Sequence, residues 1–123
     1  MKMILAALAL ALAAPAAAHA QTAPAPASFE GWINFSGQEF QLIENQNRYR
    51  AGTRRPCISG VLPRERQRMS VATIGRQKVR VTGTAMEWSD DLPGDRYEYE
   101  GSVLRNECKG DVVILGTDIA VIQ

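Results

Sequence analysis

Apolar residues alternate with polar ones from Phe29 onward, and the interruptions in that alternation mark out the elements. Phe29, Ile33 and Phe35 alternate with Glu30, Trp32 and Asn34, Ser36-Gly37 interrupts, and Phe40 and Leu42 resume. A period of two on either side of a glycine turn predicts a β-hairpin. With Ser36-Gly37 as the turn, Ile33, Phe35, Phe40 and Leu42 share one face, and Trp32 and Gln41 lie on the other. Residues 44–56 have no period and read as a long polar loop. Cys57 to Leu62 is a short strand stopped by Pro63, whose ring suits the first turn of a helix. Pro63 to Ile74 is rich in helix formers and ends before Gly75, so a short helix is expected there, although its apolar stripe is poor.

Lys78 to Trp88 alternates Val79, Val81, Gly83 and Ala85 against Lys78, Arg80, Thr82 and Thr84. Met86 and Trp88 fall on the polar parity, and a bulge at Gly83 would exchange the faces and carry both inward. Ser89 to Asp95, with Pro93-Gly94, is a turn. Tyr97 to Leu104 reads as one strand, and Val112–Leu115 and Thr117–Ile122 as two more, kinked at Gly116. About six short strands and one weak helix predict a mainly β chain that closes into a small antiparallel barrel, because closure removes exposed edges.

The hairpin, the helix after an early strand and the Gly-x-x-x-Val-x-Val-x-Gly segment formed by Gly75, Val79, Val81 and Gly83 resemble OB-type small β-barrels. The resemblance covers about half of the domain and implies a barrel of five or six strands. No binding residue is carried over from it.

Ahead of the domain, Met1-Lys2-Met3 is a short positive start, Ile4 to Ala14 an apolar run, and Ala18-His19-Ala20 a small-x-small cleavage pattern before Gln21. This is the form of an export signal, expected over residues 1–20. Pro15 interrupts the run before it reaches the length of a membrane span, and no later stretch is apolar enough to cross. Residues 21–28 form a Pro and Ala linker, and residues 29–123 the single domain. A periplasmic or secreted location is therefore expected, and both places oxidise thiols. Cys57 and Cys108 are the only cysteines. A bridge between them closes a loop of about 50 residues and stabilises by roughly 4 kcal/mol on the chain-entropy model.

Charge changes the picture more than composition does. The chain has 14 Lys and Arg against 13 Asp and Glu, and loss of Lys2 with the signal leaves zero. Yet residues 48–80 hold ten basic side chains against Glu65 alone, and both flanking stretches are acidic. The only histidine, His19, lies in the signal, so the processed chain has no imidazole for a serine or cysteine triad or for a histidine zinc site. No metal and no cofactor are expected, and the chain is read as a non-enzyme.

Guanidinium forks bind phosphate and carboxylate through two hydrogen bonds. Arg48, Arg50, Arg54 and Arg55, with Trp32 and Tyr49 for stacking, are therefore the candidate site for an anionic envelope polymer or ligand: lipopolysaccharide phosphate, an acidic glycan, a cell-wall polymer or nucleic acid. The competing reading neutralises the block, with Arg76, Lys78 and Arg80 paired across strands to Glu98 and Glu100. A second functional reading uses Asp90, Asp91 and Asp95 of the acidic 87–100 stretch to hold a basic protein. In size only, the chain resembles periplasmic inhibitors of cationic lysozymes, and their Ser-Gly-x-x-Tyr type loop has no counterpart here. The register of Asp90, Asp91 and Asp95 does not fit a calcium loop. Asn34-Phe35-Ser36 matches a glycosylation acceptor and is read as chance. A purely structural envelope domain is the remaining reading.

Overall fold

The computed structural model describes residues 26–46, 56–89 and 95–123. The expected signal and most of the linker lie outside the described residues. The elements are β1 (Ala27–Ser36), β2 (Glu39–Ile43), β3 (Ile58–Val61), α1 (Arg64–Thr73), β4 (Lys78–Glu87), β5 (Tyr97–Tyr99), β6 (Ser102–Leu104) and β7 (Val112–Val121). β1 begins two residues before the expected domain boundary, because Ala27 and Ser28 pair with Gly83 and Thr82 of β4.

The first hairpin turns at Gly37 and Gln38, one residue later than expected, with Gly37 at φ 61° and Ser36 opposite Glu39. The shift leaves the faces intact, since Phe35 pairs with Phe40 and Ile33 with Leu42. Five strands close into a barrel in the order β1-β2-β3-β7-β4. Every joint is antiparallel except β3 with β7, which is parallel. A parallel neighbour needs a long crossover, and α1, β4 and the β5–β6 pair supply it. Ile33, Phe40, Leu42, Leu62, Val79, Val81 and Ile114 fill the interior. Gly60 is required there, because a Cβ would overlap the Phe40 ring.

The irregularity expected at Gly83 is present, but the extra residue is in the partner strand. Thr82 pairs with Asp118 and Gly83 with Gly116, so Thr117 is unmatched in β7. β4 therefore keeps its faces. Met86 lies opposite Val113, a neighbour of the interior residue Ile114, and so points out of the barrel. Met86 and Trp88 are covered because a second layer packs on the outside, where they surround Val61, Leu104 and Val113 together with Tyr97, Tyr99 and Leu115. A side chain at Gly83 would strike the Leu115 carbonyl oxygen.

That second layer is the β5–β6 hairpin. The single strand expected over 97–104 is broken by Glu100 (φ 43°) and Gly101 (φ 87°), and Tyr99 pairs with Ser102. The hairpin tip docks on α1, where the Arg64 N–H donates to the Glu100 carbonyl at 3.0 Å. Tyr99 joins the layers, its hydroxyl donating to the Gly116 carbonyl at 3.1 Å. The two strands expected at the C-terminus are one, β7, running through Gly116. α1 follows the expected helix closely, with Pro63 at its N-cap and Ile74 at its C-cap. Cys57 and Cys108 form a disulfide with Cα atoms 5.5 Å apart.

Reduction of this bridge, or replacement of both cysteines by Ser, is expected to remove about 4 kcal/mol of stability in urea denaturation. Burial, followed by the neighbouring Glu100, raises the Tyr99 phenol above its ordinary value of 10.0. The folded state therefore holds this proton where the unfolded chain releases it, so its contribution is complete below about pH 10 and is lost as pH rises through the folded value. Tyr99→Phe should cost about 1 kcal/mol at neutral pH and should abolish that part of the alkaline loss, read from denaturation curves at pH 8 to 11.

Candidate functional site

Strand directions decide which connections meet. β1, β3 and β7 run one way along the barrel, and β2 and β4 the other. The C-terminal ends of β2 and β4 and the N-terminal ends of β3 and β7 therefore open on one rim. The β2–β3 connection, which carries Arg48, Tyr49, Arg50, Arg54 and Arg55, and the β4–β5 connection, which carries Asp90 and Asp91, are both rooted there. Those residues lie outside the described residues. Their roots do not: Leu42, Glu44, Asn45, Pro56, Cys57 and Ile58 line a cavity of about 330 Å³ where the basic connection leaves the barrel.

Three of the six described basic residues of the block form ion pairs. Arg80 meets Glu30 at 2.9 Å, Arg66 meets Asp118 at 3.3 Å, and Arg68 meets Glu65 at 3.1 Å. Of the residues expected to pair with Glu98 and Glu100, Arg80 pairs with Glu30 instead. β4 lies between β1 and β7 in the barrel, and β5 belongs to a separate two-stranded sheet. Trp32, half-buried on the outer face, already carries a cation, with the Lys78 ammonium 5.2 Å from its ring centroid, within cation–π range.

The β6–β7 connection, residues 105–111, is held down by a series of specific contacts. Glu39, on the outward face of β2, is 1% exposed, and its two oxygens accept from the Arg105 N–H at 2.6 Å and the Glu107 N–H at 2.9 Å. Gln38 accepts from the Val103 N–H at 2.9 Å, the Ser36 hydroxyl donates to Glu107 at 3.1 Å, and the Cys108 N–H donates to the Ser59 hydroxyl at 2.9 Å. Two residues of the connection, Asn106 and Lys109, stand at φ 58°, a conformation that Asn adopts readily and that surrounding contacts hold in Lys. The Lys109 N–H donates to the Asn106 carbonyl, and the Trp88 N–H donates to the Asp111 carbonyl. These contacts frame a cavity of about 420 Å³ walled by Trp88, Asp95, Arg105, Asn106, Lys109 and Asp111.

Asp95 is thus the one member of the expected acidic trio among the described residues, and it is exposed, at φ 54°. It faces a cavity shared with two cations. Trp88, Arg105, Asn106, Lys109 and Asp111 were not singled out by the sequence. The only signal was the turn-forming Asn106 and Gly110 flanking Cys108. Among the described residues, no group of three or more His, Cys, Asp or Glu is placed to hold a metal ion, and no helix is long and apolar enough to cross a membrane. No protein-family model matches the chain, and no curated protein is similar to it in sequence.

Replacing Glu39 by Gln swaps one acceptor oxygen for a donor that faces a backbone N–H. The expected cost is about 1–3 kcal/mol, measured by urea denaturation at neutral pH.

Proposed function

We propose that this chain is an exported, non-enzymatic binding module that holds an anionic envelope polymer through Arg48, Arg50, Arg54 and Arg55. One observation carries the reading. The basic connection is rooted on an open rim of the barrel and ends at Cys57, which the disulfide fixes to the pinned 105–111 connection. Elsewhere in the basic block Arg66, Arg68 and Arg80 are held in ion pairs, and residues 48–55 hold four arginines and no acid. The acids of the 90–94 segment, rooted on the same rim, number two against these four arginines.

The strand order, with its single parallel joint between β3 and β7, is compatible with an OB-type barrel, a fold that binds oligonucleotides and oligosaccharides on the outer face of its second and third strands and on adjoining loops. Here Glu39, Gln41 and Ser59 of that face are buried, which moves ligand contact to the rim. Fold alone does not assign the ligand. The disulfide supports export, since such bridges persist in oxidising compartments.

The test is binding to a defined polyanion, double-stranded DNA or polygalacturonate, across a salt series. Affinity is expected to fall steeply with salt. With all four arginines replaced by Ser, the DNA slope should become shallower by about 3 to 4, in line with roughly 0.9 per neutralised phosphate. Undiminished binding by that variant overturns the reading. Asp90→Asn with Asp91→Asn should leave binding at least as strong.

A further inference from the structure

We propose that the cavity beneath the β6–β7 connection is a saccharide-binding site, separate from the arginine cluster. Its chemistry carries the inference. Asp95, Asp111, Arg105 and Lys109 all line about 420 Å³, a volume within the usual range of small-molecule sites. None of the four belongs to an ion pair among the described residues. Acceptors and donors are therefore set around one space without neutralising each other. Trp88 provides an apolar wall, braced from behind by Val61, Leu104 and Val113.

Asn106 is the second, independent observation. This wall residue is 4% exposed. Its Nδ2 donates to the Gly110 carbonyl at 2.8 Å, which fixes the orientation of the amide, and its Oδ1 has no partner. A buried acceptor left unpaired is costly, and few survive in native proteins without a reason.

The occupant must therefore donate to Asp95 and Asp111, accept from Arg105 and Lys109, and lay an apolar face on an indole. A small anion is repelled by the two carboxylates, and a metal ion by the two cations. An apolar molecule meets none of the polar groups. Hydroxyls both donate and accept, and a sugar ring carries them around a C–H face that packs on an aromatic wall. The frame is set before binding: the buried Glu39 carboxylate, Ser59 and the disulfide hold the connection, so little ordering cost is left for the ligand to meet.

The chain has two tryptophans, so Trp32→Phe leaves Trp88 as the only indole emitter. Its fluorescence is followed during titration with trisaccharides of glucose, N-acetylglucosamine and galacturonate, and with glycine and inorganic phosphate as non-sugar comparators. A saturable change with at least one trisaccharide is expected, weakened tenfold or more by Asp111→Asn and by Lys109→Met, both exposed positions whose backbone contacts are kept. Should Trp32→Phe fail to fold, the Trp88 indole N–H resonance of the wild-type protein is followed instead. No saturable change with any of the three sugars overturns the proposal. So does a change that survives both substitutions, or saturation by glycine or phosphate alone. Replacement of the four arginines by Ser should leave the Trp88 response intact, so loss of polyanion binding and loss of sugar binding are read separately.

Discussion

The buried carboxylate of Glu39 holds the 105–107 backbone across the outer face of the barrel. An ionised group cannot leave water without compensation, and the compensation comes from the Arg105 and Glu107 N–H groups, 66 and 68 residues further along the chain. The dependence is mutual. The carboxylate is buried only if the 105–107 backbone lies across it, and that backbone, which belongs to no sheet, satisfies those N–H groups only on Glu39. Two further contacts reinforce the arrangement: Gln38, in the turn before β2, accepts from Val103, and the Glu39 carbonyl accepts from Gln67 of α1 at 3.4 Å. All five residues of β2 are buried as a result, although their sequence alternates polar and apolar as a half-exposed strand would.

Closing the outer face of β2 and β3 limits where a ligand can reach the barrel. The flat surface is occupied by the protein's own connection, and cavities open at the rim and under that connection. The segregation of charge takes on a different meaning there. A chain with a basic block between two acidic stretches suggests either mutual neutralisation or a dipole with two poles. Ion pairs to Glu30, Glu65 and Asp118 neutralise part of the block. β2 and β4 end on the same rim, so the connections that carry Arg48, Arg50, Arg54 and Arg55 and Asp90 and Asp91 both leave the barrel from that rim.

The inward alternation of β1, β2 and β4 was legible residue by residue, and so were α1 between Pro63 and Gly75 and the pairing of the two cysteines. What was not legible depended on the second layer. Met86 and Trp88 announced themselves by sitting on the polar parity of β4, but a period of two reports only that a residue faces away from the barrel, not that something covers it. The cover, β5–β6, was itself hidden because Tyr97, Tyr99 and Val103 continue one parity across a turn marked only by Gly101. The cavity under the β6–β7 connection failed to show for a related reason. Trp88, Asp95 and residues 105–111 belong to three separate stretches, and the left-handed backbone at Lys109 is held by contacts that no local pattern records. The arginines and aspartates that the sequence did single out as sites lie, Asp95 apart, outside the described residues.

The disulfide joins these two regions. Cys57 ends the basic connection, and Cys108 stands in the middle of 105–111, two residues from Asn106 and next to Lys109. Its covalent constraint is duplicated by the Cys108 N–H bond to Ser59, so the root of the arginine segment and the wall of the cavity are held by one clasp. A ligand held by both proposed sites must suit guanidinium groups and also a wall that offers carboxylates and an indole. A bare polyphosphate satisfies the first and is opposed by the second, whereas a polyhydroxylated chain bearing occasional acid groups satisfies both. Taken together, the two proposed sites favour acidic glycans over bare polyphosphates.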